Sequence, residues 1–145
     1  TTEGILDTTT TLGGAEAGAF DQAITKTDPA MVMMSLATYQ SIDPNNPAVF
    51  SSTIIDGHIR NALKYTGVVI SDSMSAEALS SYDVSQLGVK LVEAGGDMSC
   101  IGQTDYVKPI VDGLNERAKS DPAFASKVTA AATRVMALKI KMGLA

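Results

Sequence analysis

A chain of 145 residues that is 45% hydrophobic is long enough for one domain with its own core and too apolar to be disordered. Its net charge of -5 argues against a nucleic-acid partner or an anionic membrane surface, since either calls for a basic face. No apolar run reaches membrane-spanning length, and Thr1-Thr2-Glu3-Gly4 carries neither the charge nor the apolar block of a signal peptide.

Residues 1–14 hold Thr8-Thr9-Thr10-Thr11 and Gly13-Gly14, a composition that predicts loop with room for a short strand. The absence of an initiator methionine fits a chain whose true beginning has been removed. From Ala15 to Thr27, Ala15, Ala19, Phe20, Ala23 and Ile24 recur at three- and four-residue spacing and predict an amphipathic helix, ended by Asp28-Pro29. Ala30 to Ser35 reads as a buried strand. Ser41-Ile42-Asp43-Pro44-Asn45-Asn46-Pro47 is too dense in proline to be regular structure. Thr53 to Lys64 predicts a second helix, capped by Ser51 or Ser52, with Ile54, Ile55, Ile59 and Leu63 on one side. His58 lies within it without a second ligand-type residue one turn away, so it is read as an ordinary helix residue.

Gly67-Val68-Val69-Ile70-Ser71-Asp72 organises the rest. Three β-branched apolar residues in succession predict a strand buried on both faces. The apolar run ends at an acid, and Ala76, Ala78 and Leu79 behind it turn helical. A carboxylate at the carboxyl end of a parallel strand stands where α/β folds bind ligands. The same acid could equally cap the helix that follows, and the local sequence leaves both readings open. Ser85 to Ala94 predicts a third helix closed by Gly95-Gly96, and Asp97 to Ile101 a third strand. Cys100, the one cysteine, has no internal disulfide partner and reads as a small core residue. Tyr106 to Lys119 and Ala123 to Met142 complete the chain as two helices.

Strands alternating with helices, with connections too long for hairpins, imply an α/β fold of parallel β-α units. Three strands are few for a parallel sheet covered on both faces, so the units read as part of a larger sheet or barrel.

Five blocks, in order, carry a family resemblance: Val32-Met33-Met34-Ser35, Ile42-Asp43-Pro44-Asn45-Asn46-Pro47-Ala48, Gly67-Val68-Val69-Ile70-Ser71-Asp72, Glu93-Ala94-Gly95-Gly96-Asp97, and Arg134-Val135-Met136-Ala137-Leu138-Lys139 with Gly143-Leu144. They resemble glycoside hydrolase family 3, and within it the β-N-acetylhexosaminidase branch. The resemblance implies the C-terminal part of a TIM-type (β/α)8 barrel, strands six to eight and the closing helix, over residues 1–145.

It further implies a retaining glycosidase acting on terminal β-linked N-acetylglucosamine or glucose, in which Asp72 matches the nucleophile. Such an enzyme needs one carboxylate to attack the anomeric carbon and a second group to protonate the departing oxygen. In this branch the acid/base resembles an Asp-paired histidine on a mobile loop after strand five, upstream of Thr1. A sugar-gripping Lys-His pair is likewise upstream. Met33, Ser35 and Ser73 are candidates for lining the sugar site. Leu36 stands where relatives mostly place histidine or tyrosine, Ser73 where aspartate or tryptophan is commoner, and Ala76-Glu77 where a Met-Gly pair is. Asp97 and Arg134 read as structural, Glu77 as a solvated acid.

The expected partners are a β-linked oligosaccharide and either a complementary barrel half or another copy of the chain. No cofactor or metal is implied, and the compartment, cytoplasmic or secreted, is left open. Two other readings compete. One is a non-catalytic structural or sugar-binding half-barrel. The other is a phosphoacceptor receiver domain, in which Asp72 would be phosphorylated and Lys108-Pro109 would end a strand. That one is weakened by the lack of an acidic pair for magnesium on an early strand.

Overall fold

The computed structural model describes residues 4–145; what the sequence predicts for Thr1–Glu3 lies outside them. A short strand β1, Leu6–Asp7, forms where the loop left room for one. Asp7 explains why the threonine run turns instead of extending. Its Oδ1 accepts from the backbone N–H of Thr9 and Thr10, and its Oδ2 from the Thr10 hydroxyl. These bonds, that of the Thr10 N–H foremost, hold the Asp7 carboxyl below its ordinary value.

Helix α1, Ala15–Thr27, has the predicted bounds. Asp28 stops it in the left-handed region at φ 43°, where its N–H still reaches the Ile24 carbonyl. Only Ile24 of its apolar positions is buried, and Phe20 is 72% exposed.

The strand predicted over 30–35 is β2, Met31–Met34, followed by the two-residue β3, Thr38–Tyr39, which pairs in parallel with β1. β2 corrects the expectation of a buried strand. Met34 is buried, but Met31 and Met33 are 44% and 65% exposed. It is an edge strand with only one face covered by helices.

The second helix, Thr53–Ala62, is a π-helix. Gly57 N donates to Ser52 O and Leu63 N to His58 O, five residues back in each case. Ile54, Ile55 and Ile59 are buried as expected. Of the two candidate caps, it is the buried Ser51 whose hydroxyl accepts from Ile54 N, at 3.3 Å, while Ser52 makes no side-chain cap.

Strand β4, Val68–Ser73, lies between β2 and β5, Met98–Cys100, in one parallel sheet ordered β2-β4-β5. Between β4 and β5 runs α2, Val84–Glu93, capped by Asp83, with Gly95 at φ 102° ending the turn beyond it. Helices α3, Val107–Ser120, and α4, Pro122–Lys141, follow. The three-stranded sheet is thus built of three successive β-α units, its strands in chain order, while β1 and β3 pair apart from it.

Val69, opposite Val32, and Ser71, opposite Met34, turn one face of the sheet toward the helices. There they meet Ile24, Ile55, Leu87 and Leu91 in one apolar cluster, each large buried side chain contributing about 1.5–3 kcal/mol. The opposite face carries Met33 and Ile70, paired in register, and Met98 beyond them. Cys100 follows Met98 by two residues on that face and is exposed. This corrects its expected place in the core: Ile101 beside it is apolar, but Cys100 itself is exposed among the described residues.

Candidate active site

Asp72 is the penultimate residue of the central strand, which runs one residue past the acid, to Ser73. Asp72 follows Ile70 by two residues at the end of β4 and is half-buried. Its carboxylate Oδ1 accepts from the Ser73 backbone N–H at 2.7 Å. The helix-cap reading is not what the structure shows. Behind β4 comes only a 3-10 turn, Glu77–Leu79, whose N-cap is Ala76 and which receives no side-chain cap. Oδ2 has no hydrogen-bond partner among the described residues.

Ser73 is half-buried beside it, its hydroxyl 3.1 Å from that of Ser75, which in turn accepts from Gly102 N at 3.2 Å. These bonds tie the rim of β4 to the segment after β5. Met33 stands in register with Ile70 on the same face. The β2–β4 pairing ends at Met34–Ser71, and Ser35 is the next residue out of β2. The Ser35 hydroxyl accepts from Ala37 N at 2.9 Å, fixing the turn out of β2, and its own hydrogen stays free to donate.

A groove of about 250 Å³ runs along the open edge of β2 beneath α1 and takes in Met33, Ser35, Phe20, Tyr39 and Ile42. Asp72 is not among its lining residues. The structure therefore brings Ser73 next to Asp72 and pairs Met33 with Ile70, and places Ser35 and Met33 at a second, edge-on cleft.

His58 is satisfied rather than free, its Nε2 2.8 Å from Oδ1 of Asp21. This His-Asp pair joins the π-helix to α1 in the helix layer and has no hydrogen bond to Asp72. Asp97 and Arg134 are structural as expected: the fully buried Asp97 carboxylate takes donors from Arg60, Arg134 and Val69 N. Sequence reasoning did not join Arg60 to this network, because its partners lie 35 and 37 residues away. Burial foremost lowers the Arg60 pKa, against the pull of Asp97. Glu77 is exposed, as a solvated acid should be.

Lys108-Pro109 lies in the first turns of α3, with Lys108 paired to Asp112 on the same helix, which removes the strand-end lysine that a receiver domain requires. Among the described residues no group of three or more His, Cys, Asp or Glu could hold a metal ion, and no helix is long and apolar enough to cross a membrane.

The sequence profile of the glycosyl hydrolase family 3 N-terminal domain matches residues 5–138. Among solved structures, the β-N-acetylhexosaminidase of Beutenbergia cavernae is 35% identical with a TM-score of 0.86, over 94% of this chain and 41% of its own. The family 3 β-N-acetylglucosaminidase of a Paenibacillus species is 26% identical with a TM-score of 0.86, over 99% of this chain and 28% of its own. The β-N-acetylglucosaminidase of Thermotoga maritima is 25% identical with a TM-score of 0.75, over 82% and 27% respectively. An uncharacterized secreted glycosyl hydrolase of Arthroderma benhamiae is 36% identical over 69 residues, which are 47% of this chain and 20% of that protein. The chain thus spans less than half the length of each of these relatives.

Proposed function

Because the chain belongs to glycosyl hydrolase family 3, we propose that it is the nucleophile-bearing part of a retaining glycosidase that removes terminal β-linked N-acetylglucosamine from oligosaccharides such as cell-wall or chitin fragments. Asp72 is the nucleophile. The observation that carries this is the place of its carboxylate, half-buried at the carboxyl end of the central parallel strand, with one oxygen held by Ser73 N. The solved relatives at 25% to 35% identity bear the names of N-acetylglucosaminidases or an N-acetylhexosaminidase, which favours that sugar over glucose.

In the first displacement Oδ2 attacks the anomeric carbon as the aglycone oxygen takes a proton and leaves. In the second, water attacks the glycosyl ester and Asp72 departs as a carboxylate. Ser73 N–H steadies Oδ1 throughout, so the attacking oxygen enters from one direction. Met33 and Ser35 contribute an apolar wall and a hydroxyl to the sugar, and Ser73 the rim beside the nucleophile.

The three β-α units act as staves six to eight of a (β/α)8 barrel. The sequential parallel order β2-β4-β5 and the exposed Met31 and Met33 support this. A complementary barrel half, or a second copy of this chain, covers that face and the open edge of β2. The proton donor comes from the upstream half, since among the described residues Asp72 has no histidine or second carboxylate hydrogen-bonded to it. On its own the chain is inactive.

The test is mass spectrometry of protein treated with an activated fluorinated N-acetylglucosaminide. The barrel-complete form carries a covalent label on the peptide containing Asp72, and Asp72→Ala carries none. Labelling that persisted in Asp72→Ala would overturn the assignment, and turnover of an aryl N-acetylglucosaminide by the isolated chain would overturn its dependence on a second half. A non-catalytic sugar-binding half-barrel is the second reading, favoured by the lack of a paired acid beside Asp72. Sugar binding without label in the complete form would select it.

A further inference from the structure

The pairing of β4 with β5 slips beside the proposed nucleophile. Ile70 is opposite Met98, but Ser73 is opposite Cys100, so Ser71 and Asp72 together face the single residue Ser99. That is a β-bulge, with one extra residue on β4, and a bulge breaks the main-chain ladder where it occurs. The donor at the break is not left unpaired. Cys100 N–H donates to the Ser71 hydroxyl oxygen at 2.9 Å, and one step later the main-chain ladder resumes with Met74 N donating to Cys100 O at 2.8 Å. Ser71 is 1% exposed, one of two polar residues among those described that are buried.

An apolar residue at 71 would satisfy the burial and the apolar run but would remove the acceptor that the part-buried Cys100 N–H uses where the ladder is broken. The buried hydroxyl thus performs one task that no hydrocarbon can. It stands in for a main-chain acceptor at the point where β4 is one residue too long.

We propose that Ser71 is a positioning residue whose hydroxyl pins the β4 bulge and thereby sets the direction of the Asp72 carboxylate. The proposal rests on Asp72 being the nucleophile, but the bulge itself can be read without any activity. Without the pin, the two bulge residues share the slack, and Asp72 rotates with Ser71 about the strand axis. A displacement of the reacting oxygen by even an ångström is enough to cost a large factor in rate.

The experiment has two arms. In the chain itself, amide exchange at Cys100 is compared in the parent, Ser71→Ala and Ser71→Thr, with Ser71→Cys as a near-isosteric variant that packs normally and accepts poorly should the alanine variant fail to fold. Loss of the acceptor accelerates exchange at Cys100 by about tenfold while Val69 N–H, held by Asp97 Oδ2, and Asp97 N–H, held by Val69 O, keep their protection; threonine restores it. In the barrel-complete form, Ser71→Ala or Ser71→Cys lowers the rate of covalent labelling at Asp72 by about 10- to 100-fold with little change in KM, and Ser71→Thr recovers it.

Unchanged exchange at Cys100 would overturn the pin. Faster exchange with an unaltered labelling rate would overturn the positioning role and leave Ser71 merely structural. Persistent label in Asp72→Ala would instead sink the nucleophile assignment, an outcome the exchange arm does not share.

Discussion

Arg134 Nη1 donates to Asp97 Oδ1 at 2.8 Å, joining the last helix to the start of the last strand. The other carboxylate oxygen receives Arg60 and the backbone N–H of Val69, so a single acid with no exposed side-chain surface binds α4, the π-helix and β4 together. Arg60 also reaches the carbonyls of Tyr65, Gly67 and Gly95. Every partner sits toward the end of the sheet opposite Asp72.

Asp97→Ala leaves the nearly buried Arg60 guanidinium without its counter-charge and is expected to cost about 3–5 kcal/mol. Arg134→Ala removes the more exposed arm, and about 1.5–3 kcal/mol is expected. Urea unfolding midpoints of the two variants against the parent give the comparison. An Asp97→Ala loss no larger than that of Arg134→Ala would mean the acid is not the shared anchor.

Helices α2 and α3 touch backbone to backbone at Gly113. A Cβ there would stand 2.0 Å from the Ser85 carbonyl oxygen, an atom that can yield only if the helices part. Gly113→Ala is therefore expected to destabilise by about 1–3 kcal/mol, or to prevent folding. Gly18 in α1 has open space around its missing side chain, so Gly18→Ala is expected to stabilise by about 0.5–1 kcal/mol. Thermal unfolding of the two variants should move in opposite directions.

Asp83 caps α2 by accepting from the Ser85 N–H and hydroxyl. These bonds, the hydroxyl's foremost, hold its carboxyl below the model-compound value of 3.8. A depressed folded pKa means that the cap contributes fully above the unfolded value and is lost as pH falls through the folded one. Asp83→Ala should thus lower the melting temperature at neutral pH, and its deficit against the parent should vanish in strong acid. A deficit that stayed constant with pH would show that the charge is not what caps the helix.

How much of this could be read from the residues depends on what each segment touches. The β4 run and the bounds of α1 were legible because their signals are local: three β-branched residues after Gly67, and Asp28-Pro29 after a 3.6-residue period. The place of Asp72 near the end of β4 was legible because the apolar run stops there. The exposure of Met33 and Cys100 was not, since an apolar side chain announces that something covers it without saying whether the cover lies in the same chain. The π hydrogen bonding of Thr53–Ala62 was hidden because the steps Ile55, Ile59 and Leu63 suit a widened turn as well as an α-helical one. The Ser71–Cys100 bond and the His58–Asp21 pair join residues 29 and 37 apart, and no local pattern encodes such a pairing.

The lone thiol of Cys100 turns the uncovered face into something that can be watched. A maleimide dye attached there would sit on the rim of β5, across the bulge from the proposed nucleophile, and its emission would shift when another polypeptide closed over it. Assembly could then be timed apart from catalysis, with no second sulfhydryl in the chain to blur the signal.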